Sequence, residues 1–343
     1  MILLQLLTAL ILFLPGPLSA YQKGVALGLY DKDAAHSYKD ELQEIRATGA
    51  DHVSLVVSWY QKEIKSNDIY PRWEAAGAAP AVGDFETTPD HKLIQVIEEA
   101  HRTGLKVFLF PILRIEERAE KEWRGVVTPK SLQEWLEGYR RFTLHYARLA
   151  AANGVEMFSV GSELCSVESE EKFWRGLIAQ IRGFYRGQLL YSANWDHYKK
   201  ILFWDDLDYL GLNGYYELTK NETPAMGELL RAWWDIENDL TAWQEAHRKP
   251  IIFTEIGYPS VDGGCGKPWD YTRSAPVDVD EQAICYEAFF LTWAKSMRLG
   301  GVYFWNWYGQ GGENDRSYTP RGKPAEKILT RWYRQSPTYS KRP

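Results

Sequence analysis

The feature that most restricts the fold of this chain is an alternation of short apolar runs with amphipathic stretches, repeated from residue 24 onward. The runs are dense in β-branched, aromatic and aliphatic residues, as are strands buried on both faces of a parallel sheet. The eight predicted strands are GVALGL (24–29), HVSLVV (52–57), KVFLFP (106–111), EMFSVG (156–161), LLYSA (189–193), LDYLGL (207–212), PIIFT (250–254) and GVYFW (301–305).

Helical patterns lie between most of these strands. Apolar residues recur at helical spacing over 90–104, 131–154 and 280–301, and each of these stretches ends in glycine, a common helix stop. Further helices are predicted over 225–248 and after the fourth strand, and weaker patterns follow strands one and five. Eight strand–helix units in one chain predict an α/β fold, a single (β/α)8 TIM barrel.

The alternative fold is an open, doubly wound sheet. Its nucleotide-binding form carries a glycine-rich turn after the first strand. The segment GLYDKDAAHSY at that place has no such turn, which favours the barrel. The longest predicted loop is 58–89, on the face where barrels keep their functional sites. No linker divides the chain, so residues 21–343 are expected to form one domain.

Residues 1–20 predict export. They are apolar up to a Pro-Gly-Pro break and end in small residues, which indicates a secretory signal peptide cleaved after Ala20. A membrane anchor is the alternative, but the apolar run is shorter than the roughly twenty residues of a span. The protein is therefore expected to be secreted or periplasmic, monomeric and without stable membrane insertion. A net charge of −6 without long blocks of one sign argues against a nucleic-acid partner.

The chain has three cysteines, Cys165, Cys265 and Cys285. An odd number leaves at least one free thiol in an exported protein. Pairing of Cys265 with Cys285 is compatible with their spacing, but the sequence does not decide it. No Cys-x-x-Cys or His-rich pattern indicates a metal site, and no cofactor is expected.

Two glutamates occupy equivalent places on the predicted barrel. Glu163 lies two residues after the fourth strand, and Glu255 directly follows the seventh. The carboxyl ends of barrel strands share one mouth, so both side chains are expected to face the same cleft. Two carboxylates across a cleft are what glycoside hydrolysis needs, one as acid and the other as nucleophile or base. The alternative is that each glutamate caps a helix or forms a structural ion pair.

Several segments around these residues resemble glycoside hydrolase family 113. They are FSVGSEL, YSANWDHYKKILFWDDLDYLG, KPIIFTEIGYPS, YEAFFLTWAK and GVYFWNWYGQGG, together with EWRGVVTP and WYQ, so the likeness extends over 24–335. The resemblance implies a retaining (β/α)8 hydrolase of β-1,4-mannan, with Glu163 as acid/base and Glu255 as nucleophile. The alternatives are a hydrolase of a different β-glycan and a carbohydrate-binding relative that has lost turnover.

Aromatic residues are the second indication of a carbohydrate cleft. The chain has 15 Trp and 21 Tyr, more than its core requires, and such rings stack against flat ligands such as sugars. Trp305, at the end of the eighth strand, corresponds to the ring that lies beneath the sugar in the resembled clan. The predicted substrate-binding residues are Trp59, Arg124, Asn194, Trp195, Asn213, Tyr215, Tyr216 and Trp305.

Most of these residues also have a structural alternative. Trp59 and Trp195 are equally suited to core packing, and Arg124 to a surface ion pair. Either Tyr215 or Tyr216 is expected to hydrogen-bond Glu255, with packing at the rim as the alternative. Asn194 and Asp196 are placed to contact a sugar hydroxyl or to cap the next helix, and capping is the prediction for Asp196.

The chain departs from the family pattern on the walls of the cleft. Ser162 stands where the wider clan has Asn, and Asn213 stands where an acidic residue is usual. FPILR, ending at Arg114, replaces a polar stretch after the third strand. These changes leave the catalytic pair intact and leave mannan specificity open.

Overall fold

The computed structural model describes residues 21–31, 36–72 and 86–335. The predicted signal peptide, 1–20, lies outside the described residues. Eight parallel strands close into a barrel in chain order, with β8 pairing back onto β1. The prediction of a single (β/α)8 TIM barrel is therefore confirmed. The strands are β1 (Gln22–Gly28), β2 (His52–Gln61), β3 (Lys106–Ile115), β4 (Met157–Ser162), β5 (Gln188–Asn194), β6 (Leu210–Asn213), β7 (Ile251–Ile256) and β8 (Leu299–Phe304).

Among the described residues, the helices match the predicted pattern with three differences. No α-helix follows β5, where two short 3-10 turns occupy Tyr198–Lys200 and Trp204–Asp206, and a last helix forms that the sequence reading did not predict. The helix expected over 280–301 is also shorter: it ends at Trp293, turns follow, and β8 begins at Leu299. The helices are α1 (Lys39–Ala47), α2 (Asp90–Arg102), α3 (Leu132–Ala152), α4 (Glu171–Arg182), α5 (Met226–His247), α6 (Val279–Trp293) and α7 (Pro324–Arg334).

Two apolar clusters account for the core. The smaller one fills the barrel interior, where Phe108 stacks on Phe110 and meets Tyr303 edge-on, both at 5.1 Å between ring centroids. The larger one lies between the strands and the helices and includes the neighbouring strand residues of opposite orientation, such as Val107 and Leu109. Alternating orientation along each strand thus supplies both layers.

Strand β3 continues four residues beyond Pro111, where the sequence predicted its end. Its register with β2 holds as far as the pair Gln61 and Ile115. Its ladder with β4 ends earlier, at Leu109. Pro111 therefore lies where β3 is paired on one side only, the position in which a missing N–H is tolerated. As a result Arg114 belongs to the strand rather than to the following loop.

A disulfide joins the loop after β7 to α6. It links Cys265 to Cys285 and leaves Cys165 as a free cysteine. The pairing that the sequence left open is therefore present. Within the described ranges, no helix has both the length and the apolarity needed to cross a bilayer.

Candidate active site

Both candidate catalytic glutamates follow a register shift between strands. Ser159 pairs with Leu190 and Ser162 with Ser192, so three steps along β4 match two along β5. A second shift precedes Glu255: Leu212 pairs with Phe253 and Asn213 with Glu255, so two residues along β7 match one along β6. Such bulges turn the side chains that follow them and are common beside active sites.

Glu163 is held in an unusual backbone conformation. Its φ is 55°, in the left-handed region that few residues other than glycine adopt. The backbone N–H of Glu163 donates to the carbonyl oxygen of Ser192 at 2.9 Å. Nη2 of Arg124, from the 3-10 turn Arg124–Val126, donates to Oε2 of Glu163 at 2.7 Å. The Glu163 backbone is thus held by Ser192 and its carboxylate by Arg124, from the loop after β3. The residue is 6% exposed.

Glu255 lies at the end of β7 and is 4% exposed. The hydroxyl of Tyr215 donates to Oε2 of Glu255 at 2.8 Å. Burial, followed by the charge of Glu255, raises the pKa of Tyr215 well above its usual value, so this hydroxyl remains a donor. The second oxygen, Oε1, is buried and has no hydrogen-bond partner among the described residues. Oε2 of Glu255 is therefore held by a hydrogen bond, whereas no described residue holds Oε1.

The two carboxyl groups interact electrostatically. Burial and then the charge of Glu163 raise the pKa of Glu255 to about 8, although Arg124, Tyr215 and Arg114 each lower it. For Arg124, burial lowers the pKa and the charges of Glu163 and Glu255 raise it, with a net increase. Because interacting carboxyls titrate as a unit, the pair retains a proton near neutral pH. This proton belongs to the pair rather than to one member of it.

The predicted aromatic contacts separate into two groups. Trp195, after β5, stacks on Trp269 at 5.9 Å and approaches Tyr216 at 5.4 Å, forming an aromatic group beside the mouth. Trp59 instead packs on α3, with its ring 5.5 Å from Phe142. It shares its orientation on β2 with the outer-layer residues, and this position favours the packing role that the sequence left open.

Trp305 follows β8 and contacts the cluster inside the barrel. Its backbone N–H donates to the carbonyl oxygen of Ile256 at 2.8 Å. A side chain at Gly257 would place its Cβ 2.6 Å from the carbonyl oxygen of Trp305, so glycine is needed there. Trp305 is therefore close to the end of β7, which carries Glu255.

The predicted polar contacts Asn213 and Asn194 form hydrogen bonds with neighbouring side chains. Nδ2 of Asn213 donates to Oγ of Ser162 at 3.3 Å, and Oδ1 of Asn213 accepts from Thr254 at 2.8 Å. Two departures from the family pattern thus meet in one hydrogen bond between the ends of β4 and β6. Asn194 donates to Asp196 at 2.7 Å. The helix that Asp196 was predicted to cap does not form, because only 3-10 turns follow β5.

Two residues at the mouth were not assigned from the sequence. The guanidinium of Arg114 lies 4.7 Å from the ring centroid of Tyr30, and its Nε donates to Ser58 at 3.1 Å. Tyr30 follows the end of β1, a position that could have been flagged by the rule used for Glu255. Arg114 was noted only as part of the segment that departs from the family pattern, because the sequence predicted that its strand ends at Pro111.

Two clusters of metal-binding residue types occur among the described residues. One contains Cys165, Glu168 and His197, and the other contains Asp262, Asp278 and Glu281. Their buried carboxylates already have partners. Glu168 accepts from the Tyr191 hydroxyl at 2.9 Å, and Glu281 accepts from two backbone N–H groups at 2.8 Å. Neither cluster requires an ion to satisfy its buried carboxylate.

Comparisons with known proteins identify the family and relatives of similar fold. Residues 21–323 match the family model described as Glycoside Hydrolase Family 113. The family 113 β-mannanase from Alicyclobacillus acidocaldarius, solved in complex with ManMIm, is 28% identical, with a TM-score of 0.78 over 91% of this chain and 97% of that chain. A second family 113 β-1,4-mannanase, also solved as a complex, is 25% identical, with a TM-score of 0.76 over 92% of this chain and 99% of that one.

More distant structures share only the fold. A β-D-glucuronidase for Dictyoglomus thermophilum is 15% identical, with a TM-score of 0.59 over 94% of this chain and 52% of that chain. A comparison with curated proteins finds no match. On the family match, which spans most of its length, the chain belongs to glycoside hydrolase family 113.

Proposed function

We propose that this protein is a retaining β-1,4-mannanase in which Glu163 is the acid/base and Glu255 the nucleophile. The observation that carries the proposal is the buried, electrostatically coupled pair at the ends of β4 and β7, in which Oε1 of Glu255 has no hydrogen-bond partner among the described residues. The mannan substrate is inferred from the two family 113 mannanases to which the chain is similar.

The two glutamates would act in two displacements. In the first, Oε1 of Glu255 attacks the anomeric carbon while Glu163 gives its proton to the leaving oxygen, so the glycosidic bond breaks and a glycosyl–enzyme ester forms. The ester removes the charge of Glu255, which lets Glu163 act as a base. In the second, Glu163 takes a proton from water, whose oxygen displaces Glu255 from the anomeric carbon. The sugar leaves with its original configuration.

The neighbours of the pair include a hydrogen-bond donor to the proposed nucleophile and a cation beside the proposed acid/base. Tyr215 donates to Oε2 of Glu255, which stabilises negative charge on the nucleophile and leaves Oε1 to react. Arg124 places a cation against Glu163, and its buried Nε has no partner among the described residues. We propose that this Nε–H donates a hydrogen bond to an oxygen of the substrate. Trp305 is assigned to the floor beneath the reacting sugar, and Trp195 with Asn194 to a more distant sugar.

Alanine variants of each glutamate test the assignments separately. Covalent and acid–base roles predict losses well above about tenfold, and general acid catalysis alone contributes on the order of 10²–10⁴. The control is Glu116→Ala, which removes an exposed carboxylate that accepts from Tyr70 on the same face of the barrel. A loss below about tenfold in Glu163→Ala or Glu255→Ala contradicts the proposal.

Azide separates the two roles. In Glu255→Ala, azide enters the space of the missing carboxylate and should give the α-glycosyl azide by a single displacement. In Glu163→Ala, azide should attack the glycosyl–enzyme ester and give the β-glycosyl azide. If Glu255→Ala gave the β-glycosyl azide and Glu163→Ala the α-glycosyl azide, the roles of the two glutamates would be the reverse of those proposed. Proton NMR of the wild-type reaction should show the β-anomer first, and an initial α-anomer would exclude retention.

A panel of manno-, gluco- and xylo-oligosaccharides tests the substrate. Preference for manno-oligosaccharides supports the proposal, whereas preference for another series indicates a different β-glycan. The second outcome has a structural basis in the cleft wall, where Phe110 and Ile112 are buried in the inner cluster and Arg114 follows them. Binding without release of reducing sugar from any member would identify a carbohydrate-binding relative.

We also propose that the protein is exported as a monomer with a single catalytic domain over 21–343. The basis is the apolar character of residues 1–20 and the match of the family model from residue 21. Mass spectrometry of the protein recovered outside the cytoplasm should show an N-terminus at Tyr21. Light scattering should give the mass of one chain.

A further inference from the structure

A hydrogen-bonded chain lies directly behind Glu163. The next residue, Leu164, donates its backbone N–H to the hydroxyl oxygen of Tyr191 at 2.9 Å. The same hydroxyl donates to Oε1 of Glu168 at 2.9 Å, and Nδ1 of His197 lies 3.3 Å from Oε2 of Glu168. The chain thus runs from the backbone of the proposed acid/base to a buried carboxyl group.

The direction of these bonds follows from the chemistry of the groups. A tyrosine hydroxyl has one proton to donate and lone pairs with which to accept. The Tyr191 hydroxyl donates its proton in a hydrogen bond to Glu168, so a lone pair of the hydroxyl oxygen faces the N–H of Leu164. Glu168 is 2% exposed. Burial raises its pKa, and the hydrogen bonds from Tyr191 and His197 act in the opposite direction. Nothing in the proposed reaction uses this carboxyl group, so its burial needs another explanation.

The ring of Tyr191 is held tightly in place. It is fully buried, and its centroid lies 5.3 Å from that of Trp174 and 5.5 Å from that of Phe203. On its other side is Gly161, where an added Cβ would lie 2.7 Å from the ring. The hydroxyl therefore has little freedom to move away from Leu164.

The backbone at Glu163 needs such support. A non-glycine residue in a sparsely populated conformation costs on the order of 1–3 kcal/mol and persists only when its surroundings hold it. Two hydrogen bonds do so, from the N–H of Glu163 to Ser192 and from the N–H of Leu164 to Tyr191. Both acceptors lie on β5, one residue apart. Leu164 is 1% exposed, so without Tyr191 its N–H would be buried and unpaired.

We propose that Tyr191, oriented by Glu168, is a positioning residue that holds the Glu163 backbone in the conformation needed for proton donation. The inference rests on the proposed acid/base role of Glu163. Neither residue touches the substrate. Loss of the Tyr191 hydroxyl should therefore impair the step that needs the proton and spare a reaction that does not.

Leaving groups of different acidity make this distinction measurable. We would compare kcat/KM for phenyl and 2,4-dinitrophenyl β-mannobiosides, because dinitrophenolate departs without protonation whereas phenolate requires it. Tyr191→Phe should lower kcat/KM for the phenyl substrate about 10- to 100-fold, less than loss of the acid itself, and that for the dinitrophenyl substrate less than about threefold. Glu168→Ala should show the same selective loss. Glu168→Gln, which still offers an acceptor to Tyr191, should recover most of it.

Tyr185→Phe is the matched control. Tyr185 is a buried tyrosine whose hydroxyl also bonds the backbone, donating to the carbonyl oxygen of Val155 at 2.9 Å, at the opposite end of β4. Its removal should leave the ratio of the two kcat/KM values unchanged. If Tyr191→Phe does not fold, the comparison of Glu168→Ala with Glu168→Gln decides the question.

Two results separate the possible failures. Equal losses with both substrates, or no loss, in Tyr191→Phe and Glu168→Ala would show that these residues only stabilise the fold, and the inference would be wrong. Glu163→Ala tests the role on which the inference rests. If that variant shows no dependence on the leaving group, the acid/base assignment itself fails, whatever the Tyr191 variant does.

Discussion

Replacing Glu255 by glutamine should stabilise the protein, and more so at pH 8 than at pH 5. Burial and the charge of Glu163 raise the pKa of Glu255 from 4.5 to about 8. Between these values the folded protein binds a proton that the unfolded chain does not. Stability must then fall as pH rises through this window, because deprotonation favours the unfolded state. Glutamine has the same shape and does not titrate, so the variant lacks this loss.

The size of the effect follows from the pKa change. One pKa unit corresponds to about 1.4 kcal/mol, so the roughly three pH units between pH 5 and pH 8 correspond to at most about 4 kcal/mol. Unfolding entropy is about 2 cal/mol/K per residue, or about 0.7 kcal/mol/K for a chain of this length. The Tm advantage of Glu255→Gln should therefore grow by up to about 6 °C between pH 5 and pH 8.

Thermal unfolding followed by circular dichroism at pH 5, 6, 7 and 8, at constant ionic strength, measures this difference. Glu120→Gln is the control, since it removes a carboxyl group that is exposed in the loop after β3. Its Tm difference from wild type should stay the same across the series. A Glu255→Gln advantage that is equally independent of pH would refute the reasoning, because it would show that the glutamate pair does not hold a proton in this pH range.

Three further predictions concern the surroundings of the pair. Tyr215→Phe should lower kcat/KM about 10- to 100-fold with an unchanged circular dichroism spectrum, because hydrogen bonds to charged groups contribute about 1.5–3 kcal/mol; a loss below threefold contradicts this role. Arg124→Met removes a cation that lowers the pKa of Glu255, so the fall in kcat/KM expected above about pH 8 should move to higher pH. If this fall occurs at the same pH as in the wild type, Arg124 does not influence the proton of the glutamate pair. Replacing Cys265 and Cys285 by serine opens a crosslink between residues 20 apart, and Tm should fall about 4 °C, from a stabilisation of about 3 kcal/mol; an unchanged Tm would show that the crosslink does not stabilise the fold.

The sequence alone determined the scaffold and the place of the candidate catalytic pair. Strand and helix patterns are local, because each depends on the spacing of apolar residues within about ten positions. Eight alternations then leave few topologies, and a barrel brings every strand end to one mouth. That is why Glu163 and Glu255, 92 residues apart, could be expected together from their positions relative to β4 and β7.

The tertiary structure decided which neighbours act on that pair. Strands buried on both faces are apolar on both, so the sequence did not show that Trp59 faces α3 rather than the cleft. The pairing of Cys265 with Cys285 and the support of Leu164 by Tyr191 also depend on the three-dimensional fold. These contacts join different elements, and the bulges before Glu163 and Glu255 change side-chain direction in a way that period-2 counting misses. Local sequence patterns determine the strands and helices. The chemistry at the strand ends depends on the register between strands and on the packing between strands and helices.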